Sequence, residues 1–376
     1  MSEASEILAG RERALAEVDL GAIRHNVRRL SRDLPRGAAH CAVVKANGYG
    51  HGAVPAARAS LEAGSRWLGV ATATEAEELR DAGLTAPILV FGPMTGVELE
   101  RAACAKADVV VWSDEFARAA LALGAGCHLK FDSGMGRLGA AEGRVRELAG
   151  LLASGGSSLV GLMSHFATAD EADTTFFEYQ LGRFTALARE LKAKYPHLLC
   201  HTANSAATIR SLSSHFDMVR TGIALYGLAP SNDDPFKDDL APAMRLSSYV
   251  AAVRTVQPGE SVGYGRRFVA DAPARVAIVP IGYADGISRA LTNRGDVLVA
   301  GRRCRITGTI SMDQLTVLLP ERHGRPGDDV VFFGESGGER ILCEEVARLL
   351  GTINYEVVCD VSPRVVRRYR GVAPAA

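Results

Sequence analysis

Between residues 40 and 230 the chain alternates short apolar runs with longer amphipathic stretches. The apolar runs lie at 41–45, 67–71, 88–92, 108–112, 127–132, 159–165, 199–203 and 217–221. Each is five to seven residues long and most are rich in Val, Ile and Leu, which predicts buried strands. The stretches between them carry helical spacing. In 74–83, for example, Thr74 and Glu77 read as a capping box and Gly83 as the stop. Eight strand–helix units in this order predict an α/β fold, a TIM-like (β/α)8 barrel. An open doubly wound sheet contains the same units, since counting them does not establish closure.

The pattern changes after 229–242, a Pro- and Asp-rich segment that reads as a linker. Beyond it, runs at 249–256, 276–281, 296–300 and 330–333 are separated by Gly and Pro turns, which predicts a mainly antiparallel β domain with one helix at 343–350. The domain limits drawn from these changes are 12–238 for the barrel and 239–376 for the β domain, with residues 1–11 expected to be flexible or to pack on the β domain.

Composition narrows the function classes. The 376 residues include 43 basic and 43 acidic side chains, a balance that gives no electrostatic case for nucleic acid or an anionic membrane surface. No apolar run approaches a membrane span, and the first residues lack the basic start and apolar core of a signal peptide. The seven cysteines are scattered without a Cys-x-x-Cys pair, so neither a zinc site nor a disulfide framework is suggested and a reducing cytoplasm is the expected setting.

The unusual polar residues fall where strands end, the end at which a barrel carries its chemistry. An apolar run reaches Lys45 and a glycine-rich turn follows at once, a setting suited to a Schiff base with a carbonyl. A lysine snorkelling from the rim of a sheet gives the same local pattern. Arg137 lies in the glycine-rich loop after the fifth strand, His165 ends the sixth, Asn204 and Ser205 follow the seventh, and Arg220 ends the eighth. The loops after the last two strands suit a phosphate, with Ser205 and the amides near Gly222 and Ile223 as its holders. Taken singly, Asn-Ser is a common cap, a histidine a common core residue and an arginine a common salt-bridge partner. Their coincidence at one end carries the inference.

The stretch Val-Val-Lys-Ala-Asn-Gly-Tyr-Gly-His-Gly over 43–52 resembles the pyridoxal-phosphate lysine motif of alanine racemases, departing mainly at Gly48, where alanine is more usual. His-Thr-Ala-Asn-Ser at 201–205, Arg-Thr-Gly-Ile at 220–223, Val-Gly-Tyr-Gly at 262–265, Ile-Gly-Tyr-Ala-Asp-Gly at 281–286, Ser-Met-Asp-Gln at 311–314 and Asn-Tyr-Glu-Val at 354–357 are similar to later motifs of that family, in the same order. The resemblance runs from about residue 14 to 370. It implies a head-to-tail homodimer acting on alanine, with pyridoxal 5'-phosphate on Lys45. It further implies that Tyr49, Ser205, Gly222, Ile223 and Tyr355 hold the phosphate, with His165 and Asn204 completing the cofactor group. Arg220 would meet the ring nitrogen, and Arg137 the substrate carboxylate, helped by the Met312 amide of the partner. Tyr264, also from the partner, would be the second base. Tyr283, Arg289 and Asp313 would line the mouth of the site. Lys130 matches a lysine carbamylated in some relatives, where it steadies the arginine; an ordinary ion-paired lysine is the alternative.

The chemistry explains the set. Racemisation removes an α-proton from one face and returns one to the other, so it needs a base on each face and an electron sink between them. Tyrosine, with a reference pKa of about 10, needs help as a base. A hydrogen bond from Tyr264 to His165, itself touching Arg220, is the expected help. An arginine at the ring nitrogen leaves that nitrogen unprotonated and the sink weak, which disfavours side reactions. Rival readings are a racemase for serine or of broad specificity, a non-catalytic barrel that carries the same coenzyme, and an amino-acid decarboxylase of similar build.

Overall fold

Strands β2 (Ala39–Val43), β3 (Trp67–Val70), β4 (Ile88–Val90), β5 (Asp108–Val111), β6 (Cys127–Lys130), β7 (Leu159–Met163), β8 (Leu199–His201) and β9 (Met218–Thr221) form one parallel sheet in a computed structural model that describes residues 11–155 and 158–372. They are short and almost entirely buried, as expected when helices cover one face and a packed interior fills the other. Each predicted strand is present; the first seven end one to two residues earlier than expected, and β9 ends at Thr221 as expected. The sheet order is β8-β7-β6-β5-β4-β3-β2-β9. The remaining seam is drawn together where the Asp217 N–H donates to the Cys200 carbonyl and the Arg220 N–H to that of Ala203, both at 2.9 Å. The sheet is thus a nearly closed barrel, and the open doubly wound alternative is excluded.

The helix after β3 spans Ala73–Asp81, and its capping box is Thr72 with Glu75, two residues before the expected pair. Thr74 therefore lies inside the helix. Gly83 follows the helix with φ +79° and serves as its stop. Glu75 does more than cap. Besides accepting from the Ala71 and Thr72 N–H groups at 2.7 and 3.2 Å, its carboxylate accepts from the Ala46 N–H at 2.7 Å. Glu75→Ala is expected to lower stability by about 1–2 kcal/mol, measured as a fall in the urea midpoint at constant slope.

Contacts divide the chain into two units, one of Ala22–Ser231 with Pro235–Ala241, the other of the residues up to Gly21, Asn232–Asp234 and Pro242 onward. The second unit contains β1 (Leu15–Asp19), β10 (Met244–Tyr249), β11 (Ala252–Val256), β12 (Ser261–Val262), β13 (Phe268–Val269), β14 (Ala274–Val279), β15 (Asp296–Val299), β16 (Arg302–Thr307), β17 (Leu315–Leu319), β18 (Asp329–Ser336), β19 (Glu339–Ile341) and β20 (Val366–Arg370). Its main sheet is ordered β11-β14-β17-β16-β15-β18-β10-β1-β20, with β19 paired to β18, and β12 pairs with β13 apart from it. All but one of its neighbouring pairs are antiparallel; β1 pairs antiparallel with β10 and parallel with β20, Leu15 opposite Val366. This differs from the limit of 12 drawn for the barrel, because nothing in the alternation of Leu15–Asp19 says which sheet it joins. The run expected at 249–256 is two strands that meet at Val250 and Ala251. The helix expected at 343–350 is Cys343–Leu350, and a second, Asn354–Cys359, follows it. The expectation for residues 1–11 lies outside the described residues, apart from Arg11. Among the described residues no helix is long and apolar enough to cross a membrane.

Candidate active site

The barrel brings Lys45, Tyr49, Lys130, His165, Ser205, Arg220 and Gly222 toward one end of its strands. Lys45 stands two residues beyond β2 and opens a tight turn in which Ala46, Asn47, Gly48 and Tyr49 all have φ between +51° and +61°. Left-handed backbone costs a residue with a side chain about 1–2 kcal/mol, so this turn is held from outside. Glu75 takes the Ala46 N–H, and the Asn47 side-chain oxygen accepts from the Ala53 N–H at 3.0 Å. Glycine at 48 suits this turn: its φ is +61°, and a Cβ there would lie 3.2 Å from the Ala53 nitrogen. The turn folds Tyr49 back so that the Lys45 ammonium lies 5.9 Å from its ring centroid.

Gly222 is needed for space. A Cβ on it would lie 2.3 Å from the Tyr49 hydroxyl oxygen. The Ser205 hydroxyl accepts from the N–H groups of Gly222 and Ala224 at 3.0 and 3.3 Å, which leaves its own O–H to donate elsewhere. A phenol, a hydroxyl and turn amides thus converge where any larger residue at 222 would intrude. Ile223 is buried in the turn that follows. Asn204 is the helix cap, its side-chain oxygen accepting from the Ala207 N–H at 3.0 Å.

Arg220 is buried, and its surroundings fix its plane. Nη2 donates to the Ser164 carbonyl at 2.9 Å and to the Thr202 carbonyl at 3.3 Å. Nη1 meets His201 Nδ1 at 2.8 Å, and Nη2 meets His165 Nδ1 at 3.3 Å. Burial pushes the Arg220 guanidinium down to about 10, still charged at neutral pH. His165 is pulled well below its ordinary value by burial, then by Lys130, Arg220, Arg137 and Lys45, so it is neutral. A neutral ring whose Nδ1 accepts from Arg220 carries its hydrogen on Nε2. His165 is then a donor on its outer side, whereas the sequence reading made it an acceptor there; the guanidinium decides the tautomer.

Lys130 is buried and held well below the usual lysine value by burial, then by Arg220 and Arg137, with Asp132 opposing them. It forms no ion pair among the described residues, unlike the ordinary paired lysine considered above. Arg137 is exposed, in a loop shaped by Asp132, whose carboxylate accepts from the N–H groups of Gly134 and Gly136 at 3.0 and 3.1 Å. Sequence reasoning passed over Asp132, although Asp followed by a glycine-rich turn is its signal. It also missed Gln180, buried in the helix Thr175–Lys194, which donates to the His165 carbonyl at 3.1 Å and accepts from the Ala167 N–H at 2.9 Å.

The other expected site residues lie in the second unit. Tyr264 is 73% exposed, and the glycines on both sides of it have φ of +75° and +71°. Its carbonyl accepts from the Thr309 hydroxyl at 2.6 Å. Tyr283 and Met312 are also exposed, and their loops are joined where the Tyr283 and Ala284 N–H groups donate to the Ser311 and Met312 carbonyls, each at 3.1 Å. Gly282 permits this, since a Cβ there would lie 2.3 Å from the Ser311 carbonyl oxygen. Asp313 pairs with Arg364 at 2.8 Å, Arg289 is exposed at the start of a short turn, and Tyr355 is half-buried in the helix Asn354–Cys359.

Comparison with known proteins finds matches to both parts of the chain. The family described as alanine racemase, N-terminal domain, matches residues 18–230, and alanine racemase, C-terminal domain, matches residues 243–369. An alanine racemase of Symbiobacterium thermophilum is 42% identical, covering 97% of this chain and 99% of the relative. One from Frankia casuarinae is also 42% identical, over 95% of this chain and 96% of its own. Among solved structures, alanine racemase from D-cycloserine-producing Streptomyces lavendulae superimposes with a TM-score of 0.90 at 40% identity, covering 96% of this chain and 98% of that one. The Bacillus anthracis enzyme with bound L-Ala-P gives 0.87 at 38% identity, covering 96% of this chain and 95% of that one.

Proposed function

Because this chain belongs to the alanine racemase family, we propose that it interconverts L- and D-alanine, with pyridoxal 5'-phosphate held at Lys45. The observation that carries the reading is the convergence of Lys45, Tyr49, Ser205, Arg220 and Gly222 at one end of a barrel. The cradle fits the coenzyme's phosphate: the Tyr49 phenol and the Ser205 O–H are donors, and Gly222 leaves the space. Tyr355 is the further phosphate holder in this reading. When bound, the coenzyme spreads the negative charge left on the substrate carbon after its proton departs.

The protein's own residues do the rest. The Lys45 amine takes or returns the α-proton on one face. Tyr264 serves the other face from a second copy of the chain, and its exposure, with that of Tyr283 and Met312, supports this role. A donor at His165 Nε2 would favour the phenolate over the phenol, which lowers the cost of using tyrosine as a base. Arg137 and the Met312 amide hold the substrate carboxylate, with Arg289 and Asp313 supporting the mouth. A neutral amine at Lys130 is the form that adds carbon dioxide, and the carbamate would place an anion beside Arg137 and Arg220. Intact-mass measurement under non-denaturing conditions should find one added carbon dioxide, lost in acid. In this reading the enzyme is a cytoplasmic homodimer that supplies D-alanine for peptidoglycan.

The direct test is D-alanine formation from L-alanine by the purified, coenzyme-loaded protein. Absence of turnover in both directions would refute the reading, and faster turnover of serine would favour the broad-specificity alternative. Gly222→Ala is expected to weaken coenzyme binding by about 10-fold or more, since the new methyl displaces the Tyr49 hydroxyl. Fluorescence titration of the apoprotein measures this.

A further inference from the structure

Within the barrel, four side chains make one unbranched line of hydrogen bonds. Arg220 Nη1 lies 2.8 Å from His201 Nδ1, His201 Nε2 lies 2.8 Å from His128 Nδ1, and His128 Nε2 lies 3.2 Å from a carboxylate oxygen of Asp108. Both imidazoles are fully buried. Asp108 is the first residue of β5 and His201 the last of β8, so the line runs from the site toward the opposite end of the strands. Two glycines keep its volume open. A Cβ on Gly161 would lie 2.3 Å from His128 Nδ1, and one on Gly126 would lie 2.2 Å from Asp108 Oδ1.

The ends of the line set its polarity. A guanidinium only donates and a carboxylate only accepts, whereas a neutral imidazole does one of each. With Arg220 donating, His201 Nδ1 must accept, so its hydrogen is on Nε2. That N–H donates to His128 Nδ1, which places the second hydrogen on His128 Nε2, facing Asp108. Protonating either ring would set two N–H groups against each other. Burial, then Arg220, His128 and Lys130, also hold His201 well below its ordinary value, which agrees with a neutral ring.

We propose that Asp108 is a positioning residue for Arg220, fixing the tautomers of His128 and His201 so that His201 Nδ1 presents a lone pair to the guanidinium. Its functional consequence rests on the reading of this barrel end as the coenzyme site. If the acceptor at 108 is lost, the orphaned N–H favours the other tautomer of His128, and His201 must follow. An N–H then faces the guanidinium. Arg220 keeps its bonds to the Ser164 and Thr202 carbonyls, so it tilts rather than leaves.

Two substitutions separate this from a packing role. Asp108→Asn keeps an acceptor and Asp108→Leu does not. In the coenzyme-loaded enzyme, Asp108→Leu is expected to lower kcat by about 10- to 100-fold, with KM moved less than about twofold and the coenzyme's visible band shifted; Asp108→Asn should lose less than about threefold. Parent-like kcat in Asp108→Leu, or equal losses in the two variants, would overturn the proposal. Neutron diffraction of the unmodified protein decides the matter even if Asp108→Leu does not fold. Deuterium on Nε2 of both His128 and His201 is the expected result, and deuterium on Nδ1 of either ring sinks the relay. That map needs no turnover, so an inactive parent protein would count against the proposed reaction and leave the relay standing or falling by itself.

Discussion

Lys45→Ala is expected to abolish racemisation, by a factor on the order of 10⁵ or more, because it removes both the covalent anchor and the base of one face. The fold should survive the change. Lys45 is only partly buried, and the left-handed turn that it opens is held by Glu75 and Asn47 through the N–H groups of Ala46 and Ala53, which the substitution does not touch. Far-UV circular dichroism and the urea midpoint should therefore stay close to those of the parent. Borohydride reduction followed by peptide mapping should label Lys45 in the parent and nothing in the variant. A variant that still turned over at more than about one-hundredth of the parental rate would show that the amine is dispensable.

Tyr264→Phe should cost about 10²–10⁴-fold, unequally for the two directions, since only one face loses its base. The informative form of this experiment mixes chains. If Tyr264 serves a partner's site, a dimer of one Lys45→Ala chain and one Tyr264→Phe chain has one site with both defects and one with neither. Co-refolding equal amounts of the two inactive variants should then recover about a quarter of parental activity, from statistical pairing in a two-fold dimer. If Tyr264 worked within its own chain, no combination would restore a complete site and the mixture would stay inactive. The exposure of Tyr264 between two left-handed glycines makes recovery the expected result.

How much of this was readable beforehand depended on whether a signal was local. The barrel strands were legible because each is a short buried run, and Cys343–Leu350 because its apolar positions repeat at helical spacing. The strand-end positions of Lys45, Ser205 and Arg220 were legible because each apolar run stops there and glycine or small polar residues follow. The capping box was displaced by two residues because Thr72-x-x-Glu75 and Thr74-x-x-Glu77 satisfy the same rule, and they differ in contacts outside the window: Glu75 meets the Ala46 N–H, whereas Glu77 pairs with Arg101. Pairing partners were not legible at all. Leu15–Asp19 alternates as an edge or an inner strand would, and the strand beside it comes from the other end of the chain. The hydrogen-bonded line from Asp108 to Arg220 joins four different strands, so no window of sequence contains it. Nor does the sequence say which nitrogen of His165 carries the hydrogen, since that depends on a guanidinium 55 positions away in the chain.

The parallel pairing of β1 with β20 has a consequence for how the protein is made. Val366, opposite Leu15 in the sheet, is synthesised 351 residues after it. At roughly 5–20 residues per second the first strand spends on the order of tens of seconds without its parallel neighbour, β20. The stretch from Ala22 to Ala241, with the eight barrel strands inside it, is complete well before then. Nascent chains halted when Ala241 has just cleared the ribosome should therefore protect the barrel from protease while leaving Leu15–Asp19 open to cutting. A trimmed gene for crystallising the barrel by itself is best begun near Ala22 rather than at the first methionine.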